Sequence, residues 1–189
     1  LGPQARGIAV VAPEVTDAEL KRLHAGGMRG IRFSLTADPK TWVVQPDMIE
    51  PMAERIADLG LHLQLAMEAE LIDQLASMLR RVPGTIVFDH LARPPQPAGV
   101  EHSSHRIVRE LLDNGRTWVK LSCAYINSQV GPPYPDATRV AQAFVTAAPE
   151  RMVWGSDWPH PSVPNNKPDD ALLFDLMTEW APDEVTRNR

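Results

Sequence analysis

Two segments place titratable side chains directly after apolar runs. In Phe88-Asp89-His90-Leu91-Ala92-Arg93-Pro94 the run from Thr85 delivers His90, and Arg93 follows three residues on. An imidazole at a strand end can polarise a carbonyl or ligate a metal. A guanidinium beside it can take a carboxylate through two parallel hydrogen bonds. In Val153-Trp154-Gly155-Ser156-Asp157-Trp158-Pro159-His160-Pro161, a strand leads Asp157 into a turn bounded by Gly and Pro. A carboxylate so placed can take a proton from water once burial and neighbours tune it. Plainer readings stand beside these: a capping His90 with a surface Arg93, and Asp157 as a helix cap. His160 either lines the same pocket or stacks on Trp158.

Arg32 is the third candidate, on the otherwise apolar run Gly30 to Leu35. Arginine is rarely buried without a partner, so it points to an anionic substrate group or to an ion pair with a neighbouring strand. Gln64 and Lys120 occupy similar places on their strands, and Tyr125 follows Ser122 closely enough to reach the same mouth. The single cysteine, Cys123, reads as a small buried hydrophobe rather than a nucleophile. It also excludes a disulfide framework. Met48 and Met52 read as core. His24, His102 and His105 are expected in solvent, and His62, at the start of its strand, is expected to be structural.

The elements that must position these residues alternate. Ile8 to Val11 is a strand, and Thr16-Asp17-Ala18-Glu19 is a capping box opening a helix that Gly26-Gly27 stops. Gly30 to Leu35 is the next strand. Asp47 and Glu50 repeat the capping spacing before an apolar face of Met48, Ile49, Met52, Ile56 and Leu59. Leu61 to Met67 alternates strictly, with Leu61, Leu63, Leu65 and Met67 on one face. Leu71 to Leu79 is helical, and Thr85 to His90 is a strand ending in polar residues. His105 to Leu112 is a helix and Thr117 to Ser122 a strand. Asp136 to Ala148 is a helix with Asp136 as its N-cap, Arg151 to Trp154 is the last strand, and Asp169 to Trp180 is the last full helix. The Pro-rich stretches between them are loops.

Six strands each followed by a helix or long loop imply an α/β fold with a parallel sheet. An open doubly wound sheet and a closed barrel compete. Polar residues at the C-terminal ends of several strands favour the barrel, where those ends meet at one mouth. No GxGxxG or GxxxxGK[ST] supports a nucleotide-binding open sheet. With 189 residues, 43% of them hydrophobic, the chain can bury one sizeable core. A net charge of -5 without a Lys/Arg stripe argues against nucleic acid. No apolar run approaches the ~20 residues of a membrane span. The lone thiol suits a cytoplasmic location, and a small molecule is the expected partner. Oligomeric state is not legible.

Together Asp89-His90-Leu91-Ala92-Arg93-Pro94 and Trp154-Gly155-Ser156-Asp157-Trp158-Pro159-His160 resemble the amidohydrolase superfamily, in its lactonase-like branch. Gly30-Ile31-Arg32-Phe33, His62-Leu63-Gln64-Leu65 and Trp118-Val119-Lys120-Leu121-Ser122 match that branch in the same order. The resemblance implies a distorted (β/α)8 TIM barrel and hydrolysis of a lactone. It implies that residues 1–189 are one catalytic domain holding strands three to eight, with two strands preceding Leu1 and the final helix cut after Thr186-Arg187-Asn188-Arg189. The family's His-x-His on the first strand is not in this sequence. By resemblance, Asp157 activates water and His90 polarises the carbonyl, while Arg32, Arg93, Gln64, Tyr125 and His160 hold the substrate. No cofactor is required in the lactonase branch; zinc on His90 and Asp157 is expected if a metal is bound. Relatives acting on dicarboxylates usually carry an Arg soon after the strand ending in Ser122; here that neighbourhood reads Ala124-Tyr125-Ile126-Asn127, which points to a less anionic lactone. A zinc-dependent decarboxylase of the same superfamily and a non-catalytic binding barrel are the alternatives.

Overall fold

A computed structural model describes residues 2–36 and 39–188. Its contacts divide the chain into one unit ending at Phe88 and another beginning at Asp89.

In the first unit β1 (Gly7–Ala9), β2 (Met28–Leu35), β3 (His62–Met67) and β4 (Ile86–Phe88) pair in parallel in chain order. Between them run α1 (Asp17–Ala25), α2 (Ile49–Ala57) and α3 (Ala69–Arg81). Half of the capping box forms: Thr16 Oγ1 accepts the Glu19 N–H at 3.2 Å, while the Glu19 carboxylate accepts from Arg22 Nε at 2.8 Å, and Gly26 ends the helix. The second capping signal does not form. Pro46 opens a short 3-10 turn instead, and α2 starts after Met48 without a side-chain cap. Ile31, Phe33 and Leu35 pair with Leu63, Leu65 and Met67, and all six are buried. Gln64 and Ala66, on the other face of β3, are buried as well. The one-sided alternation expected there is overridden because a parallel strand is covered on both faces. His62 is structural: its ring lies over Gly30, where an added Cβ would stand 2.4 Å from Nε2.

In the second unit β5 (Thr117–Leu121) and β6 (Met152–Trp154) pair in parallel, with Lys120 opposite Val153. Around them stand α4 (Ser103–Asp113), α5 (Pro135–Ala147), α6 (Asp170–Trp180) and the short α7 (Glu184–Arg187). Arg189 lies outside the described residues. Val119, Val108, Leu112 and Phe144 form its core. His105 is a correction. It is 7% exposed and its ring packs on Phe144 with centroids 4.6 Å apart. Burial holds its pKa below the usual imidazole value. Asp136 is another correction: the N-cap of α5 is Tyr134, in a left-handed conformation. The Asp136 carboxylate instead accepts the Gln129 N–H at 2.8 Å and the Ala137 N–H at 3.0 Å. Burial pushes its pKa up, but those bonds and the Ser128 hydroxyl more than offset it, and the group stays below the usual range.

Strands and helices alternate through both units, so the fold is α/β with six strands among the described residues. None of the described helices is long and apolar enough to cross a membrane.

Candidate active site

The candidate site is built within the second unit, on the turns that follow strands. Each turn bends through left-handed backbone at a residue that is not glycine. Along His90, Leu91, Ala92 and Arg93 the φ angles are 56°, 57°, 56° and 51°. Cys123 after β5 has φ 57°, and Asp157 and His160 after β6 have 63° and 56°. For L-residues this conformation costs about 1–2 kcal/mol each. It persists only where the surroundings over-determine it.

Those surroundings can be named. The Ala92 N–H reaches Asp89 O at 3.0 Å and the Arg93 N–H reaches His90 O at 3.1 Å, while Leu91 is fully buried. The Asn127 side-chain amide donates to His90 O at 3.0 Å and to Cys123 O at 2.9 Å, so one buried residue clamps two of the turns. After β6 the Trp158 N–H takes Ser156 Oγ at 3.1 Å, and the His160 N–H takes Asp157 O at 2.7 Å.

These turns bring His90, Ser122, Cys123, Tyr125, Asp157 and His160 into one cluster. His90 is buried, with Nδ1 2.9 Å from Ser122 Oγ and Nε2 3.9 Å from Asp157 Oδ1. The serine hydroxyl can give or take a proton, so it serves either tautomer of the ring. Asp157 Oδ2 accepts a 2.7 Å hydrogen bond from the Tyr125 hydroxyl. The gap from Oδ1 to His90 is too wide for a direct hydrogen bond. His160 Nδ1 lies 3.2 Å from the Tyr125 oxygen, and the Cys123 thiol donates to that oxygen at 3.6 Å. Burial keeps both Tyr125 and Cys123 protonated, and the neighbouring Asp157 reinforces this for each.

A second polar pair lies beside the cluster. Lys120 Nζ stands 2.8 Å from Asp89 Oδ1, a charge contact rather than an aligned hydrogen bond, with Asp89 1% exposed. The lysine stem crosses Gly155, where a Cβ would meet its Cδ at 3.4 Å. A buried carboxylate needs such a partner. A separate cavity of about 340 Å³ lies between β5, β6 and the last helices, lined by Leu121, Val145, Met152, Trp154, Met177 and Trp180. Arg187 is its one charged lining residue, and it holds none of the groups above.

The donor atoms of His90, Cys123 and Asp157 all lie within 4.8 Å of one another, a spacing that could hold a metal ion. An imidazole, a thiolate and a carboxylate are ligands zinc accepts. The thiol must first lose its proton.

The structure therefore brings together His90, Asp157, Tyr125 and His160. Arg93 closes the His90 turn and is half-buried. Arg32 and Gln64 lie in the first unit as register partners on β2 and β3. Ser122, Asn127 and Cys123 join the site without having been singled out for it. For Ser122 the signal was available, since it continues the polar face of Trp118 and Lys120. Nothing in the sequence marks Asn127.

The amidohydrolase family model matches residues 1–189. The 2-pyrone-4,6-dicarboxylate hydrolase of Comamonas testosteroni is 34% identical over 190 residues, covering 96% of this chain and 62% of that protein. The 4-sulfomuconolactone hydrolase of Rhizobium radiobacter is 30% identical over 188 residues, covering 97% and 63%. A crystal structure of an Agrobacterium tumefaciens protein in its apo form aligns at TM-score 0.86 and 26% identity, covering 98% of this chain and 65% of that one. The chain thus spans less than two thirds of the curated relatives' length. With the family model matched from end to end, the chain belongs to the amidohydrolase family.

Proposed function

We propose that this chain is the larger part of a hydrolase that opens the lactone of a small organic acid by direct attack of water. One observation carries the reading. Asp157 is held by Tyr125 on Oδ2 and presents Oδ1 toward His90, which is itself fixed by Ser122. A carboxylate and an imidazole so placed can work on one carbonyl from two sides.

In the proposed reaction Asp157 takes a proton as water adds to the lactone carbonyl. His90 stabilises the developing oxyanion. When the ring C–O bond breaks, Asp157 returns the proton to the leaving oxygen, and the product is a hydroxy acid. Arg93, Arg32 and Gln64 are assigned to the substrate's anionic and polar groups, with the guanidiniums suited to carboxylates. The two relatives named above act on lactone-type substrates, which supports an anionic lactone. Ile126 supports fewer anionic groups than a dicarboxylate carries. The six strands are assigned as strands three to eight of a (β/α)8 barrel. The support is that nearly the whole chain aligns with part of longer relatives. A cytoplasmic location is proposed on the buried, unpaired thiol.

A divalent metal such as zinc would be held by His90 and Asp157, with Cys123 as third donor, and would supply Lewis-acid polarisation of the carbonyl. That donor set favours a second reading, a metal-dependent hydrolase or decarboxylase. The test assays the full-length protein on a panel of mono- and dicarboxylate lactones before and after exhaustive chelation. Ring opening that survives chelation supports the metal-free lactonase. Activity lost on chelation and restored by zinc supports the second reading. Ligand binding without turnover of any lactone would leave only a binding barrel.

A further inference from the structure

We propose that Tyr125 is a positioning residue for Asp157, held in place by His160, with Asp170 on α6 orienting the His160 ring. The proposal rests on the hydrolase reading of Asp157.

Counting protons on the Tyr125 oxygen gives the argument. The phenol has one proton, and at 2.7 Å it goes to Asp157 Oδ2, since a carboxylate can only accept. The oxygen is then an acceptor for everything else that approaches it. Cys123 meets it as an S–H donor at 3.6 Å, so His160 Nδ1, at 3.2 Å, serves it as an N–H donor too. The two rings meet edge to face, with centroids 5.5 Å apart and planes at 83°, which fixes the direction of the imidazole.

The other side of that imidazole is also engaged. His160 is 2% exposed, and Nε2 stands 3.2 Å from Asp170 Oδ1, on a carboxylate whose side chain is 47% exposed. The approach is oblique, so Asp170 acts on the ring as a charge rather than as an aligned acceptor, and it draws the ring in when Nε2 carries a proton as well as Nδ1. A chain of contacts therefore runs from the start of α6 through His160 and Tyr125 to Asp157.

The consequence is a division of labour within one carboxylate. With Oδ2 tied to the phenol, Oδ1 is the oxygen left to face His90 and the reacting water. Without Tyr125 the carboxylate can rotate about its Cβ–Cγ bond, and the productive orientation becomes one of several. This differs from a role for Tyr125 and His160 in holding the substrate, because their polar atoms already serve one another and Asp157.

The experiment measures kcat and KM for Tyr125→Phe, Asp170→Asn and the double variant in the full-length enzyme. Tyr125→Phe should lower kcat about 10- to 100-fold, the weight of a hydrogen bond to a charged group. KM should stay within about twofold, since no ground-state substrate contact is lost. Asp170→Asn should lower kcat about 2- to 5-fold alone, as befits a half-exposed charge, and should change nothing in the Tyr125→Phe background. A raised KM with kcat intact would overturn the proposal, as would an Asp170→Asn effect of equal size in both backgrounds. If the wild-type protein opens no lactone, the functional reading fails, and the wiring is still read from histidine ¹⁵N spectra of the resting protein. There, both Tyr125→Phe and Asp170→Asn must move the His160 ring resonances. Unmoved resonances sink the proposal whatever the enzyme does.

Discussion

The two units turn their chains by different means. In the first, the described residues with left-handed φ are Gly2, Gly27, Gly60 and Gly84, and no side chain stands on that backbone. In the second, nine residues other than glycine adopt it, and His90, Arg93, Cys123, Asp157 and His160 are among them. Glycine reaches this conformation freely, whereas the others need neighbours that hold them there. The first unit keeps its turns relaxed. The second accepts backbone strain at the points where a side chain must be aimed.

The sharpest test of that contrast sets a site residue against a core residue. Asp157→Asn keeps the shape of the side chain and its place beside Tyr125. It should lower kcat for ring opening by about 10²–10⁴-fold, the usual worth of a general base, with the melting curve nearly unchanged. Leu63→Ala, at a position 1% exposed on β3, should instead lose about 2–5 kcal/mol of stability. Its activity per folded molecule should hold. Turnover assays beside denaturant unfolding check both. An Asp157→Asn enzyme with full activity would remove the chemistry from this turn.

The clamp on the strained turns ranks next. Asn127→Ala strips donors from the buried carbonyls of His90 and Cys123 and should cost about 2 kcal/mol. The comparable tie in the first unit is Arg55, which holds Val15 O at 2.6 Å and pairs with Asp17 across solvent. Arg55→Met should cost under about 1 kcal/mol, because an exposed pair is weak. Equal losses in urea titrations would mean that the two units hold their loops alike.

How much of this was legible depends on where local pattern decides the outcome. The six strands and the helices between them follow from β-branched runs, caps and breakers, and they appear in the expected order. The residue pattern runs past the strand ends where polar residues leave the ladder: Asp89 and His90 lie beyond β4, and Ser122 beyond β5. The left-handed run at His90 was invisible, because Leu91 and Ala92 carry no preference for it and only packing imposes it. His105 was legible in principle. It falls three residues before Val108 and seven before Leu112, on the buried face of α4. Of the site itself, His90 and Asp157 stood out as strand-end residues. Asn127 and Asp170 act through contacts made by loop geometry, which spacing does not encode.

His105 supplies a pH test confined to the second unit. Burial lowers its pKa in the folded protein below the ordinary 6.5, with Arg109 and Arg106 also lowering it and Glu101 and the Val100 backbone opposing. The unfolded chain therefore takes up the proton first as pH falls. The contribution to stability is complete above about 6.5 and declines below it, with a slope under about 1.4 kcal/mol per pH unit for a single proton. His105→Leu should flatten the stability curve below about pH 6.5, read by urea unfolding at stepped pH. A slope unchanged by the substitution would assign it to other groups.

The smallest expected effect bears most directly on the comparison, because it exchanges the two solutions. Gly60 has φ +67° and nothing within 4 Å of where a Cβ would stand, so Gly60→Ala adds only backbone strain. It should cost about 1 kcal/mol. Ala92 has φ 56° and is buried in the His90 turn, so Ala92→Gly relieves the same strain in the opposite direction. The gain should be smaller, about 0.5 kcal/mol, because glycine also enlarges the entropy of the unfolded chain and a buried methyl is lost. If strain in the second unit serves only to aim His90, Ala92→Gly should stabilise the fold while lowering kcat slightly as the turn gains freedom. A variant that is both more stable and fully active would show that His90 is aimed by Ser122 and Asn127 alone, and that the left-handed backbone at Ala92 is a by-product of packing around Leu91.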